Sequence, residues 1–172
     1  ALTQIVLTES FAGIDLVDPG GGPPQFVVND VALSTLSGGC GAVDAIRANS
    51  TIYSQGQLNI YYVPVVKSEE GHAKAGYACV TSDAPEIIFV DHDGHYTSTL
   101  AHEIGHALGL VAPFWGHVDY LEGFYEGTDG REYNVMVDGS SATESLPPEA
   151  RYFSVGQVAR MHLVDESWLN RP

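Results

Sequence analysis

Apolar and polar positions along the chain predict an α+β domain with most of its strands in the first half. Short apolar or β-branched runs predict strands at 5–7, 26–28, 58–63, 76–80 and 86–90. The last run is almost entirely apolar, which is typical of a buried strand. Apolar residues at helical spacing predict helices over 41–55, 97–110 and 154–166. Residues 111–150 have little periodicity, so we expect an irregular segment that is functional or tied down.

Length and composition fit one domain over residues 1–172 with a sizeable core. The chain is 44% apolar but contains no apolar run of about 18 residues, so we expect no membrane span. Its first residues are not a charged and then apolar leader. If the protein is exported, we expect that the signal and any pro-segment have been removed.

The net charge is -15 and only 7 residues are Lys or Arg, so the chain should repel the phosphates of nucleic acid. A solvated acidic surface with no specific role is the simplest interpretation. Attraction of cationic substrates and binding of calcium are the alternatives.

The chain has two cysteines, Cys40 and Cys79, and no C-x-x-C pair, which argues against a cysteine metal site. In a secreted protein they would form a disulfide worth about 3–4 kcal/mol in the chain-entropy model. Two buried free thiols are the alternative.

The candidate chemistry is concentrated in His102-Glu103-Ile104-Gly105-His106, inside the predicted helix 97–110. Residues four apart lie on one face of a helix, so both imidazoles can bind one metal ion. Glu103 lies beside them and can act on a water at that ion. This is the H-E-x-x-H arrangement of zinc peptidases. The alternative is a helix with two surface histidines.

Two histidines do not complete a catalytic zinc site, which uses three protein ligands and one open position. The candidates for the third ligand are His, Asp and Glu residues downstream of the helix or elsewhere in the chain: His117, Asp119, Glu122, Glu126, Asp129, His92, His95 and His162.

The stretch from His102 to Gly109 resembles the H-E-x-x-H-x-x-G motif of the metzincin clan of zinc peptidases. In that clan a third histidine follows three residues after the glycine, where this chain has Ala112. The resemblance therefore implies an enlarged turn over 110–116 that returns His117 to the metal.

Two further stretches carry the same resemblance. Asn134-Val135-Met136-Val137 is similar to the methionine turn (Met-turn) beneath the metzincin zinc, although Met136 could simply fill a core gap. Residues 153–161 resemble the F-T-x-G-Q-x-x-R-M stretch of the pappalysin/cytophagalysin family. That family implies a twisted, mostly parallel sheet with an antiparallel edge strand, a backing helix and an active-site helix. It also implies subdomains over 1–109 and 110–172, the second irregular and ending in a helix.

The irregular segment departs from the family pattern and also carries a competing match. In several metzincins a tyrosine two residues after the methionine assists the transition state, but this chain has Asp138 at that place. The role is then vacant or filled by another residue, for which Tyr133 is the candidate. Residues 127–134 come close to the G-T-x-D-x-x-Y-G motif of aspzincins, which would make Asp129 the third ligand. The aspartate comes one position early, and Asn134 replaces the final glycine.

Together these patterns predict a secreted, monomeric zinc metalloendopeptidase with one Zn²⁺ and Glu103 as general base and acid. The resemblance implies that a protein or peptide substrate lies along Gly76-Tyr77-Ala78, although Tyr77 could be an ordinary packed side chain. Residues 91–95 could form a calcium or second zinc site, or simply a polar approach to the helix. A non-catalytic binding module and a zinc hydrolase acting on a non-peptide bond are the functional alternatives.

Overall fold

The computed structural model describes residues 40–50, 52–68, 71–80, 84–91, 98–111, 134–136, 152–165 and 167–170. The chain divides into two compact units, residues 17–95 and residues 1–16 with 96–172. The helix that carries the two histidines groups with the C-terminal residues. The predicted subdomains over 1–109 and 110–172 stay a prediction. The predicted strands at 5–7 and 26–28 lie outside the described residues.

Among the described residues of the unit 17–95, strand β1 spans Asn59–Val63, β4 spans Gly76–Cys79 and β5 spans Ala84–Asp91. These three strands form a mixed sheet in the order β1-β5-β4. Strand β5 is parallel to β1 and antiparallel to β4. Its residues from Ala84 to Val90 are all buried, as the apolar run predicts. The described residues thus combine helices with a mixed sheet, as in an α+β domain.

A short antiparallel pair, β2 (Val66–Lys67) and β3 (Ala73–Lys74), lies between β1 and β4 in the chain and was not predicted. Each of its strands has only two residues. A pattern of alternating apolar and polar positions cannot be recognised over such a short length.

The first predicted helix, over 41–55, is much too long. A 3₁₀ turn at Cys40–Ala42 leads into α1, which spans only Val43–Arg47. The carbonyl of Asn49 then accepts hydrogen bonds from the amides of Ile52 and Tyr53, so the chain turns. Asparagine is a poor residue for a helix interior and is common in turns, so the helix ends despite the apolar stripe.

Cys40 and Cys79 form a disulfide with a Cα–Cα distance of 5.3 Å, as predicted, and neither is a free thiol. The bond joins the start of the 3₁₀ turn to the end of β4. Both cysteines belong to the buried core of this unit, which also contains Ile46 and Phe89.

The unit of residues 1–16 and 96–172 contains two main helices among its described residues, at the positions that the sequence predicts. Helix α2 spans Thr99–Ala107, and helix α3 spans Val155–Leu163 and is followed by a 3₁₀ turn at Trp168–Asn170. Residues Asn134 and Tyr152 form an isolated parallel bridge. None of the helices in the described part of the chain is both long enough and apolar enough to span a membrane.

Candidate metal site

Helix α2 brings His102 and His106 together on one side. The helix buries Ala101, Ile104 and Ala107, while both histidines remain partly exposed. Their rings lie nearly perpendicular, with centroids 4.7 Å apart. The two Nε2 atoms are 3.1 Å apart. Glu103, between them in the sequence, is buried.

Backbone carbonyls determine which nitrogen of each ring carries the proton. His102 Nδ1 lies 2.9 Å from the carbonyl oxygen of Val135, and His106 Nδ1 lies 2.6 Å from that of Leu110. A carbonyl oxygen only accepts, so each Nδ1 must be the donor. In the neutral ring this leaves a lone pair on Nε2, which is the arrangement of a metal-ligating histidine.

The two Nε2 atoms consequently face each other with their lone pairs. At 3.1 Å these lone pairs repel unless a positive charge lies between them. Two nitrogens on a tetrahedral zinc, each about 2.0–2.1 Å from the ion, are roughly 3.3 Å apart. The separation in this helix is close to that value, so the residues present fit a shared divalent ion.

The end of helix α2 supplies one of the two carbonyls. Gly109 has a φ of +90°, and its amide donates to the carbonyl of His106 at 2.9 Å. The amide of Leu110 donates to the carbonyl of Gly105 at 3.0 Å, which completes a Schellman motif. This turn brings the carbonyl of Leu110 back to the ring of His106.

The segment Asn134–Met136 supplies the other carbonyl and lies against the same helix. A Cβ atom on Gly105 would be 2.5 Å from Met136 Sδ and 3.0 Å from Phe153 Cε1. Met136 is completely buried. The glycine at position 105 therefore leaves room for this close approach, which brings the carbonyl of Val135 to His102.

The other predicted site residues are not brought to this pair by the described part of the structure. His117, Asp119, Glu122, Glu126, Asp129, Tyr133, Asp138, His92 and His95 lie outside the described residues. His162 is exposed on α3. Among the described residues, no three His, Cys, Asp or Glu side chains form a group that could hold a metal. The third ligand therefore stays a prediction.

The predicted substrate-binding residues belong to the other unit. Gly76, Tyr77 and Ala78 lie on β4, which is an edge strand of the sheet as far as the structure describes it. Gly76 and Ala78 are buried, and Tyr77 is partly exposed. Their role in binding a substrate stays a prediction.

Sequence reasoning missed the two carbonyl oxygens and the glycine that lets the turn approach. A main-chain acceptor leaves no trace in the sequence. Gly105 did leave a signal, because a glycine inside a helix costs about 1 kcal/mol relative to alanine and so indicates a packing or functional reason.

No protein-family model, curated protein or solved structure matches the chain. The resemblance to metzincins therefore rests on the motif residues, most of which lie in the unit that contains α2 and α3.

Proposed function

We propose that the chain is a secreted zinc metalloendopeptidase in which His102 and His106 bind the ion and His117 completes the ligand set. One observation carries the proposal: the two Nε2 atoms are 3.1 Å apart while both Nδ1 atoms donate to backbone carbonyls. Two surface histidines on a helix have no need for such fixed rings. The disulfide supports an extracellular location, since such bonds persist mainly in oxidising compartments.

Zinc, when bound, lowers the pKa of a coordinated water and polarises the scissile carbonyl. The chain's own contribution to the chemistry is assigned to Glu103. Its carboxylate accepts a proton from the attacking water and then donates that proton to the leaving amine. His102 and His106 hold their Nε2 lone pairs in place through the bonds to Val135 and Leu110, so the site needs little reorganisation.

The proposal extends to a metzincin fold of the pappalysin type and to the position of the substrate. The antiparallel placement of β4 beside β5, at the edge of the described sheet, supports both. A peptide would add as a further strand along Gly76, Tyr77 and Ala78 through main-chain hydrogen bonds.

The first experiment measures bound zinc and cleavage of casein together. We expect one zinc per chain, cleavage that stops when the ion is removed by a chelator, and recovery when zinc is restored. Glu103→Gln should retain the zinc and lose nearly all cleavage, because the amide cannot accept the proton. Leu163→Ala, an exposed position on α3, is the matched control and should behave as wild type.

Each other outcome has a defined meaning. Zinc binding without cleavage of any peptide would favour the non-catalytic binding module. Absence of zinc would mean that a proton on one ring, rather than a metal ion, relieves the repulsion between the two Nε2 atoms. Cleavage by Glu103→Gln at the wild-type rate would contradict the role of Glu103.

The third ligand is tested separately, by comparing His117→Ala with Asp129→Ala. If His117 completes the site, its loss weakens zinc binding strongly, and the aspartate variant binds as wild type. The reverse result would identify an aspzincin-like ligand set.

A further inference from the structure

Helix α3 reaches both of the backbone segments that orient the histidines. Gln157 contacts the segment that contains Val135, and Arg160 contacts the turn that contains Leu110. These two side chains are three residues apart, so they lie on one face of the helix. Both belong to the stretch that resembles the pappalysin/cytophagalysin family, where the resemblance itself gives them no role.

Gln157 forms a reciprocal amide pair with Asn134, and both side chains are completely buried. Asn134 Nδ2 donates to Gln157 Oε1 at 2.8 Å, and Gln157 Nε2 donates back to Asn134 Oδ1 at 3.3 Å. Asn134 Oδ1 also accepts from the amide of Met136 at 2.9 Å. The pair thus closes a turn around Val135, whose carbonyl accepts from His102.

Helix capping alone does not explain this glutamine. Gln157 does complete a capping box with Ser154, in which Gln157 Oε1 accepts from the amide of Ser154 at 2.8 Å. A glutamate can fill that position equally well. Only the amide can also donate to Asn134, so the choice of glutamine relates to the turn around Val135.

Arg160 makes the corresponding contact at the other histidine. Its Nε donates to the carbonyl of Gly109 at 2.8 Å, 51 residues away in the sequence. Gly109 lies directly before Leu110, whose carbonyl accepts from His106. This hydrogen bond holds a turn of helix α2 and contributes nothing to the end of helix α3.

We propose that Gln157 and Arg160, which we call the brace, are positioning residues that fix the ring orientation and tautomer of His102 and His106. Gln157 acts on His102 through Asn134 and Val135, and Arg160 acts on His106 through Gly109 and Leu110. The inference rests on the proposed function for its purpose, since the fixed Nε2 lone pairs serve a metal ion. Its test has a readout in metal-free protein.

The experiment combines two measurements on wild type, Gln157→Ala and Arg160→Ala. The first is the position of the ring proton in metal-free protein at a pH where the rings are neutral, from two-bond ¹H–¹⁵N correlation spectra. We expect Nδ1–H on both rings in wild type, because without an ion the two Nε2 atoms can move apart while the carbonyls keep each Nδ1 as the donor. Gln157→Ala should shift His102 toward the Nε2–H tautomer, and Arg160→Ala should shift His106. The second is zinc affinity by competition with a chelator, which should fall about 10–100-fold in each variant, as for other outer-shell partners.

Two controls separate positioning from general loss of stability. Leu163→Ala changes an exposed position on the same helix. Ile46→Val shortens a buried side chain in the unit of residues 17–95 by one methylene. It should lower stability without changing any contact of Gln157 or Arg160. Both should keep the wild-type tautomers and affinity. Gln157→Glu preserves the capping box, so a tautomer shift in this variant assigns the effect to the missing donor.

Wild-type tautomers and zinc affinity in folded Gln157→Ala and Arg160→Ala would overturn the proposal. If either variant fails to fold, Gln157→Glu and Arg160→Met replace them with the same criteria, because neither side chain can donate the hydrogen bond in question. Failure of the proposed function gives a different result: wild type then binds no zinc, whereas the tautomer shifts still show whether the brace orients the rings.

Discussion

Replacing Gly109 by alanine tests whether the end of helix α2 is built for His106. Gly109 has a φ of +90°, and its added Cβ would lie 2.7 Å from Val164 Cγ2. A left-handed backbone costs an alanine about 1–2 kcal/mol, and overpacking at a filled position costs about 1–3 kcal/mol more. Gly109→Ala should therefore lower the free energy of unfolding by about 2–5 kcal/mol.

Gly71→Ala is the matched control for the backbone term. Gly71 has a φ of +86°, but apart from its neighbours in the chain no described atom lies within 4 Å of its added Cβ. The two substitutions share the left-handed strain and the loss of entropy in the unfolded chain, so these terms cancel in the comparison. The remaining difference, about 1–3 kcal/mol, measures the contact with Val164.

Urea unfolding of the metal-free variants gives the free energies, and chelator competition gives their zinc affinities. Because the turn at Gly109 presents the Leu110 carbonyl to His106, Gly109→Ala should also weaken zinc binding, whereas Gly71→Ala should not. Equal losses of stability in the two variants would refute the packing argument. Wild-type zinc affinity in Gly109→Ala would refute the link between this turn and the site.

Three further predictions concern the unit of residues 17–95. Replacing Cys40 and Cys79 by alanine should cost about 4 kcal/mol in the chain-entropy model for a separation of 39 residues, and a reductant should then no longer lower the urea midpoint. Arg47→Met removes hydrogen bonds of 2.9 and 2.6 Å from the buried Glu86 carboxylate and should lower the free energy of unfolding in urea by about 1.5–3 kcal/mol. A variant with methionine at both 47 and 86 should recover most of this loss, because it leaves no buried charge without its partner. No recovery would contradict the reasoning. Burial raises the pKa of Tyr61, so the folded state keeps the phenol proton at a pH where the unfolded chain loses it. Stability should therefore fall as the pH rises above about 10. Tyr61→Phe should flatten that decline between about pH 9 and 11, and an unchanged slope would exclude Tyr61 as its source.

The sequence predicted strands β1, β4 and β5 and the two later helices well because their apolar patterns are long enough to recognise. Strand β5 contains the unbroken apolar run Ile87-Ile88-Phe89-Val90, and α2 has an apolar stripe that a glycine follows. The first helix was predicted too long because an apolar stripe continues past Arg47 into residues that the chain places in turns. Local hydrogen bonding at Asn49 decided that boundary, and periodicity does not report it.

The sequence predicted only those parts of the candidate site that belong to the H-E-x-x-H motif. His102 and His106 face each other as the spacing requires. The groups that orient them are carbonyls at Leu110 and Val135, which come from a helix end and from a turn more than a helix length away in the sequence. Such partners follow from tertiary structure, and only the glycines that permit them are visible in the sequence.

Gly105 and Gly109 contribute in different ways to the orientation of the His102 and His106 rings. Gly105 lies inside a helix, where alanine would be more favourable by about 1 kcal/mol, and its missing side chain leaves room for Met136. Gly109 adopts a backbone conformation that places the Leu110 carbonyl on His106. Each glycine thus admits one of the carbonyls that hold the proton on Nδ1. Gly109 also serves stability, because a glycine with positive φ is the favoured end of a helix. Gly105 has no such reason inside the helix, so its local cost is itself an argument that the ring orientation matters.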